Sequence, residues 1–152
     1  MLICLKTKVT KTEFVELLDE ALSQGKDFSF TPTGSSMLPM LDGVNDTVTL
    51  TRKPKKLKKY DVVFYKRRRD NALVLHRIIK VTGDTYTMSG DSQRYFDEDI
   101  PHCDILAVMK SFTHNSEEIS ANSFFYRIYS RYILIKKYIR IMYSKIAKKI
   151  KK

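Results

Sequence analysis

A chain of 152 residues, 43% hydrophobic and carrying a net charge of +11, is long enough to bury a core without disulfides and too apolar for a disordered segment. Its two cysteines, Cys4 and Cys103, share no metal-ligand spacing and read as free thiols of a reducing compartment. No run reaches the roughly 18 apolar residues of a membrane span, and residues 1–9 are too short and too lysine-rich for a signal peptide, so the expected location is cytoplasmic.

The first predicted element is a helix over residues 12–24, where Phe14, Leu17, Leu18, Ala21 and Leu22 recur at helical spacing. Thr10 or Thr12 caps its start and Gly25 marks its end. With its leader it makes an N-terminal segment, residues 1–26. From Asp27 the period becomes two: Phe28 and Phe30 alternate with polar residues until Pro32 stops the strand. Residues 47–51, 61–65, 73–81, 85–88 and 105–112 are further strand candidates. Gly83-Asp84 suits a hairpin turn, and Arg67-Arg68-Arg69-Asp70-Asn71 a charged hairpin tip. Short strands this closely spaced predict a mainly β domain, a small curled antiparallel sheet spanning residues 27–113. Neighbouring His102, Cys103 and Asp104 cannot converge on one ion if extended, because successive strand side chains face opposite ways; no metal and no cofactor is expected.

Residues 115–122 read as a joint before a third segment, residues 122–152. Ten of the 28 Lys and Arg residues and none of the 17 acids fall in residues 124–152, leaving the rest of the chain near neutral. Phe125, Ile128, Tyr132, Ile135, Ile139, Met142, Ile146 and Ile150 recur at steps of three and four, one face of a long helix. Ile133, Leu134 and Ile141 break the separation of faces. A basic amphipathic helix with aromatic residues suits an anionic membrane surface, lying in the interface. The membrane-surface candidates are Arg127, Arg131, Lys136, Lys137, Arg140, Lys145, Lys148 and Lys149. The protein would then be peripheral on the inner face of a membrane. Packing of the apolar face on the domain, or self-association, is the competing reading. Nucleic acid is disfavoured, since no base-reading motif accompanies the charge.

Two short stretches carry the chemistry. Residues 32–41 read Pro-Thr-Gly-Ser-Ser-Met-Leu-Pro-Met-Leu, and residues 74–79 read Val-Leu-His-Arg-Ile-Ile. A serine hydroxyl is a poor nucleophile until a base in hydrogen-bond reach takes its proton. Ser36 on a tight turn and His76 on an apolar strand supply that pair. Gly34 lets the backbone approach closely and Pro39 restricts the chain beyond the serine. The Ser36-Met37 turn can present its own N–H to a developing oxyanion. A carboxylate on the far imidazole nitrogen fixes the tautomer; Asp91 and Asp97 are both candidates.

Thr-Gly-Ser-Ser-Met-Leu-Pro resembles the nucleophile motif of the signal peptidase I and LexA-like serine peptidase superfamily. Asp61-Val62-Val63-Phe64 is similar to the strand that follows that motif, and Leu75-His76-Arg77-Ile78 to its second catalytic segment. Ser89-Gly90-Asp91-Ser92 with the later Asp97 resembles the carboxylate region of the histidine branch, the endoplasmic-reticulum and archaeal type. The similarity runs over residues 28–111. It implies Ser36 as nucleophile, His76 as general base, Asp97 ahead of Asp91 as its partner, and the Ser36 N–H as oxyanion donor. Gly34 stands where many signal peptidases carry a serine, and Tyr60 where the family has a glycine. An N-terminal membrane anchor is not expected.

The reading is a serine endopeptidase acting on an extended peptide or protein substrate at a membrane surface. The alternatives are a non-catalytic peptide-binding module on the same fold and a LexA-like self-cleaving protein.

Overall fold

The computed structural model describes residues 9–150, with side chains through residue 147. Helix α1 (Lys11–Ser23) begins at a capping box: Glu13 N–H donates to Thr10 Oγ1, and the Thr10 N–H donates to the Glu13 carboxylate at 2.8 Å. Eight strands follow: β1 (Phe28–Phe30), β2 (Val48–Thr51), β3 (Val62–Arg67), β4 (Ala72–Thr82), β5 (Thr85–Ser89), β6 (Asp97–Pro101), β7 (Ile105–His114) and β8 (Glu117–Ser120). Helix α2 (Phe124–Ile150) closes the described chain. The strands form one antiparallel sheet in the order β1-β2-β7-β3-β4-β5-β6, with β8 also paired to β7. Register slips at Thr49/Leu50, Phe64/Tyr65, Ile78/Lys80 and Tyr86/Met88 add local twist, and the sheet curls into a half-barrel.

The curl gives β3 a buried environment on both faces. Val62 and Phe64 join Leu75, Met109, Phe112 and the α1 residues Leu18 and Leu22 in one core cluster. Val63 and Tyr65 join Ile78, Tyr86, Met88 and Ile105 in a second. A strand buried on both faces loses the alternation of a half-exposed one, which is why residues 62–65 form a continuous apolar run.

Three segments differ from expectation. The joint predicted at residues 115–122 is a tight turn and strand β8, whose register on β7 runs from Ser111↔Ser120 to His114↔Glu117. Strand β6 was not predicted, because Asp97-Glu98-Asp99 carries the composition of a loop; its pairing comes from β5. His102–Asp104 forms a 3₁₀ turn rather than extended chain. There His102 Nδ1 lies 3.2 Å from the Tyr86 hydroxyl, and Asp104 takes the Arg68 guanidinium. Cys103 is exposed, and Cys4 lies outside the described residues. Among the described residues no helix is long and apolar enough to cross a membrane.

Candidate active site

The Ser36 turn is anchored from below. Met37, Met40 and Leu41 are buried in the core, and Met40 N–H and Leu41 N–H both donate to the Met37 carbonyl. Gly34 enters the turn at φ +99°. Gly43 packs on it so closely that a Cβ there would stand 2.5 Å from the Gly34 carbonyl oxygen. Gly90 abuts the serine in the same way: a Cβ on it would lie 2.5 Å from the Ser36 oxygen and 2.9 Å from the Ser36 Cβ. The Ser92 N–H donates to the Ser36 carbonyl at 3.0 Å, and the Ser92 hydroxyl bonds the Ser35 carbonyl at 2.7 Å. These contacts seat the half-buried Ser36 against the segment that leaves β5. Among the described residues, the N–H groups of Ser36 and Met37 find no acceptor, and the Ser36 hydroxyl makes no hydrogen bond.

His76 is fully buried on β4. Its register partner is Val63, so its side chain shares a sheet face with Tyr65. Its Nδ1 lies 3.1 Å from the Tyr65 hydroxyl and 3.3 Å from Asp97 Oδ2, and the Tyr65 hydroxyl donates to that same oxygen at 2.6 Å. A hydroxyl has one proton. Tyr65 gives it to Asp97, so toward Nδ1 it can only accept, and Nδ1 carries the imidazole proton. Nε2 is then the bare nitrogen; it is buried and has no hydrogen-bond partner. Burial pushes the imidazole below the ordinary histidine value, against the pull of the Asp97 carboxylate. The ring is therefore neutral near pH 7 and can accept a proton at Nε2. Arg67 and Arg69 each stand 3.5 Å from the Asp97 carboxylate. Burial and the Asp97 carboxylate together raise the Tyr65 phenol far above its ordinary value.

Asp97 thus faces His76, and Asp91 does not. Asp91 takes a bidentate pair from Arg77, Nε to Oδ1 at 2.8 Å and Nη2 to Oδ2 at 2.7 Å, with both side chains buried. Adjacent strand residues face opposite ways, so β4 sends His76 toward one cluster and Arg77 toward the other. Arg77 Nη1 also donates to the Tyr126 hydroxyl and to Ser130 Oγ, both at 2.9 Å, which fastens α2 to the sheet. Two turns further on, Lys137 Nζ donates to Ser89 Oγ and the Gly90 carbonyl, each at 2.5 Å, and Arg140 bonds the Ser92 carbonyl at 2.7 Å.

The membrane-surface set is corrected accordingly. Lys137 is 2% exposed and Arg140 half-buried, because both reach inward to the Ser89–Gln93 backbone. Burial lowers the Lys137 amine to about 8. Arg127, Arg131, Lys136 and Lys145 are exposed. The side chains of Lys148 and Lys149 lie outside the described residues. Leu38, Pro39, Asp91, Ser92, Ile133, Lys136, Lys137 and Arg140 line an open pocket of about 360 Å³ between the Ser36 turn and α2.

Sequence reasoning brought out Ser36, His76 and Asp97 but missed Tyr65 and the inward role of Lys137. The Tyr65 signal was parity: it shares β3 with Val63, the register partner of His76. Lys137 lies four residues beyond Ile133 and seven beyond Ser130, on the helix face that packs inward. The structure joins His76 to Asp97 and Ser36 to the Gly90–Ser92 segment; no hydrogen bond joins Ser36 to His76. No family model matches the chain, and neither a curated protein nor a solved structure matches it.

Proposed function

We propose that the chain is a serine endopeptidase of the signal peptidase I type, histidine branch. Ser36 is the nucleophile, His76 its base and Asp97 the carboxylate that orients the base. The observation that carries this reading is the bare, buried Nε2 at the end of the Asp97–Tyr65–His76 array. An imidazole held at one nitrogen and left unpartnered at the other is poised to take a proton. Ser36 Oγ attacks the peptide carbonyl and its proton passes to Nε2. The tetrahedral oxyanion accepts from the Ser36 and Met37 N–H groups. Nε2 then returns the proton to the leaving amine, and a water activated by the same nitrogen releases the acyl group. Catalytic hydrogen bonds are often loose until substrate is bound, so closure of Ser36 onto Nε2 belongs to the substrate complex.

The open Ser36–His76 pair also favours a second reading, a non-catalytic module that holds an extended peptide along an edge strand. One experiment separates them. The purified protein is incubated with a library of leader-like peptides, and both the peptides and the intact chain are followed by mass spectrometry. The peptidase reading expects cleavage by the native protein and loss of about a thousandfold or more in Ser36→Ala and in His76→Ala. Cleavage that survives both substitutions overturns it. Peptide retention without cleavage supports the binding module, and Ser36-dependent shortening of the chain itself supports self-cleavage.

A further inference from the structure

Helix α2 has two apolar faces, and the sheet uses only one. Tyr126, Ser130, Ile133, Leu134 and Lys137 are buried. Phe125, Ile128, Tyr132, Ile135, Ile139, Met142 and Ile146 are exposed, Phe125 at 82%. At about 100° per residue the two sets lie on opposite sides of the helix. This is why Ile133 and Leu134 interrupt the periodic face: they belong to the packing face, and the longer periodic stripe is turned outward. Fourteen large hydrophobic side chains are exposed among the described residues, and ten of them belong to α2. A contiguous exposed apolar stripe of this kind marks an interaction surface.

The charges decide what meets it. Arg127, Arg131 and Lys145 project along one flank of the stripe and Lys136 along the other, and α2 carries no acid. Two copies of this face would bring basic flanks against basic flanks. An anionic bilayer neutralises them, while its acyl boundary takes the Phe, Ile and Met side chains and its headgroup layer suits the tyrosine hydroxyls. The helix is too charged to cross a membrane, so it lies in the interface plane.

We propose that the outward face of α2 docks the protein on an anionic bilayer. The inward face is bonded to the Ser89–Gln93 backbone through Lys137 and Arg140, so docking fixes the nucleophile turn and the pocket it shares with α2 close to the headgroup layer. The docking itself rests on the helix alone and does not depend on the peptidase reading.

The test is flotation of the full chain with vesicles of phosphatidylglycerol mixed into phosphatidylcholine, and with phosphatidylcholine alone. The expected result is recovery with the anionic vesicles at least about tenfold above the neutral ones, falling steeply as salt rises toward roughly 1 M, where the Debye length is about 3 Å. The triple variant Ile128→Ser, Ile135→Ser, Ile139→Ser abolishes flotation at an unchanged melting temperature. Should that variant fail to fold, the charge reversal Arg127→Glu, Arg131→Glu, Lys145→Glu gives the same loss, and Ser36→Ala floats like the native chain. Equal recovery with both vesicle types, or none with either, overturns the proposal. So does flotation that survives both surface variants, or a dimer dispersed by the triple variant in a chain that binds no vesicles.

Discussion

The Tyr65 hydroxyl gives its proton to Asp97 at 2.6 Å and meets His76 Nδ1 at 3.1 Å. On the proposed peptidase reading it acts through the tautomer of His76, as a positioning residue. Tyr65→Phe leaves Asp97 within 3.3 Å of Nδ1, so the ring keeps one partner and loses the other. A hydrogen bond to a charged group is worth about 1.5–3 kcal/mol, and part of that is recovered by the remaining contact. If the proposed peptidase reading holds, the expected outcome is a kcat about tenfold lower with KM within about twofold, the sign of lost transition-state positioning rather than lost binding. Nitrogen NMR of His76 checks the cause: Nε2 is the unprotonated nitrogen in the native protein, and its population in that form falls in the variant. A purely structural role for Tyr65 would lower stability and leave the tautomer unchanged. Tyr60 shows another residue-scale constraint. It holds φ +84°, a left-handed shape that the turn keeps although the residue is not glycine. Its N–H donates to the Ile78 carbonyl at 2.8 Å and its carbonyl accepts from Arg77 at 3.2 Å.

At the scale of elements, Arg77 is the bolt between strand β4, the segment after β5 and helix α2. Its guanidinium also meets Met40 Sδ beneath the Ser36 turn at 3.2 Å. Arg77→Met leaves the Asp91 carboxylate buried without its partner, an uncompensated charge that costs about 3–5 kcal/mol. Urea unfolding checks this, and Arg77→Met combined with Asp91→Leu regains most of the loss, because a buried ion pair is replaceable by apolar volume far more cheaply than it is broken. The same measurement tests whether α2 is structural. Tyr126 and Ser130 lose their donor in the single variant, so the helix loosens along with the site. How much was legible differs by element. The α1 cap, most of the strands, the 67–71 hairpin and the extent of α2 follow from local periodicity and turn chemistry. Strands β6 and β8 do not, because their residues are polar and their partners supply the pairing.

At the scale of the molecule, pH links the site to stability. Burial lowers the folded-state His76 from its ordinary value of 6.5. The unfolded chain therefore binds the proton first as pH falls. Stability from this group is complete above about pH 6.5 and declines as the solution is acidified below it. The carboxylates act in a separate window. Backbone N–H groups of Val44 and Asn45 hold Asp42 at about 2, and the Arg67 guanidinium holds Asp70 at about 2. Their contribution is present above the ordinary 3.8 and is lost only as pH drops through that value toward 2. Urea midpoints measured from pH 8 to pH 5 should fall below about pH 6.5, and His76→Gln should flatten that limb. A midpoint independent of pH across this range in the native protein would mean that His76 is not held neutral by burial.

Local sequence determined the alphabet of the protein: a capped N-terminal helix, a run of short strands that must curl, a serine on a glycine-and-proline turn, a histidine among apolar neighbours and a cationic helix. These follow from nearest-neighbour physics, namely periodicity, turn geometry and charge density. Only the tertiary structure decided which carboxylate serves His76, because Asp91 and Asp97 are close in sequence and part company only when β5 and β6 pair and Arg77 claims the first. Only packing decided the orientation of α2. Both its faces are apolar, and the buried Arg77 and the Ser89–Gly90 backbone select the one that offers Tyr126, Ser130 and Lys137 as polar partners.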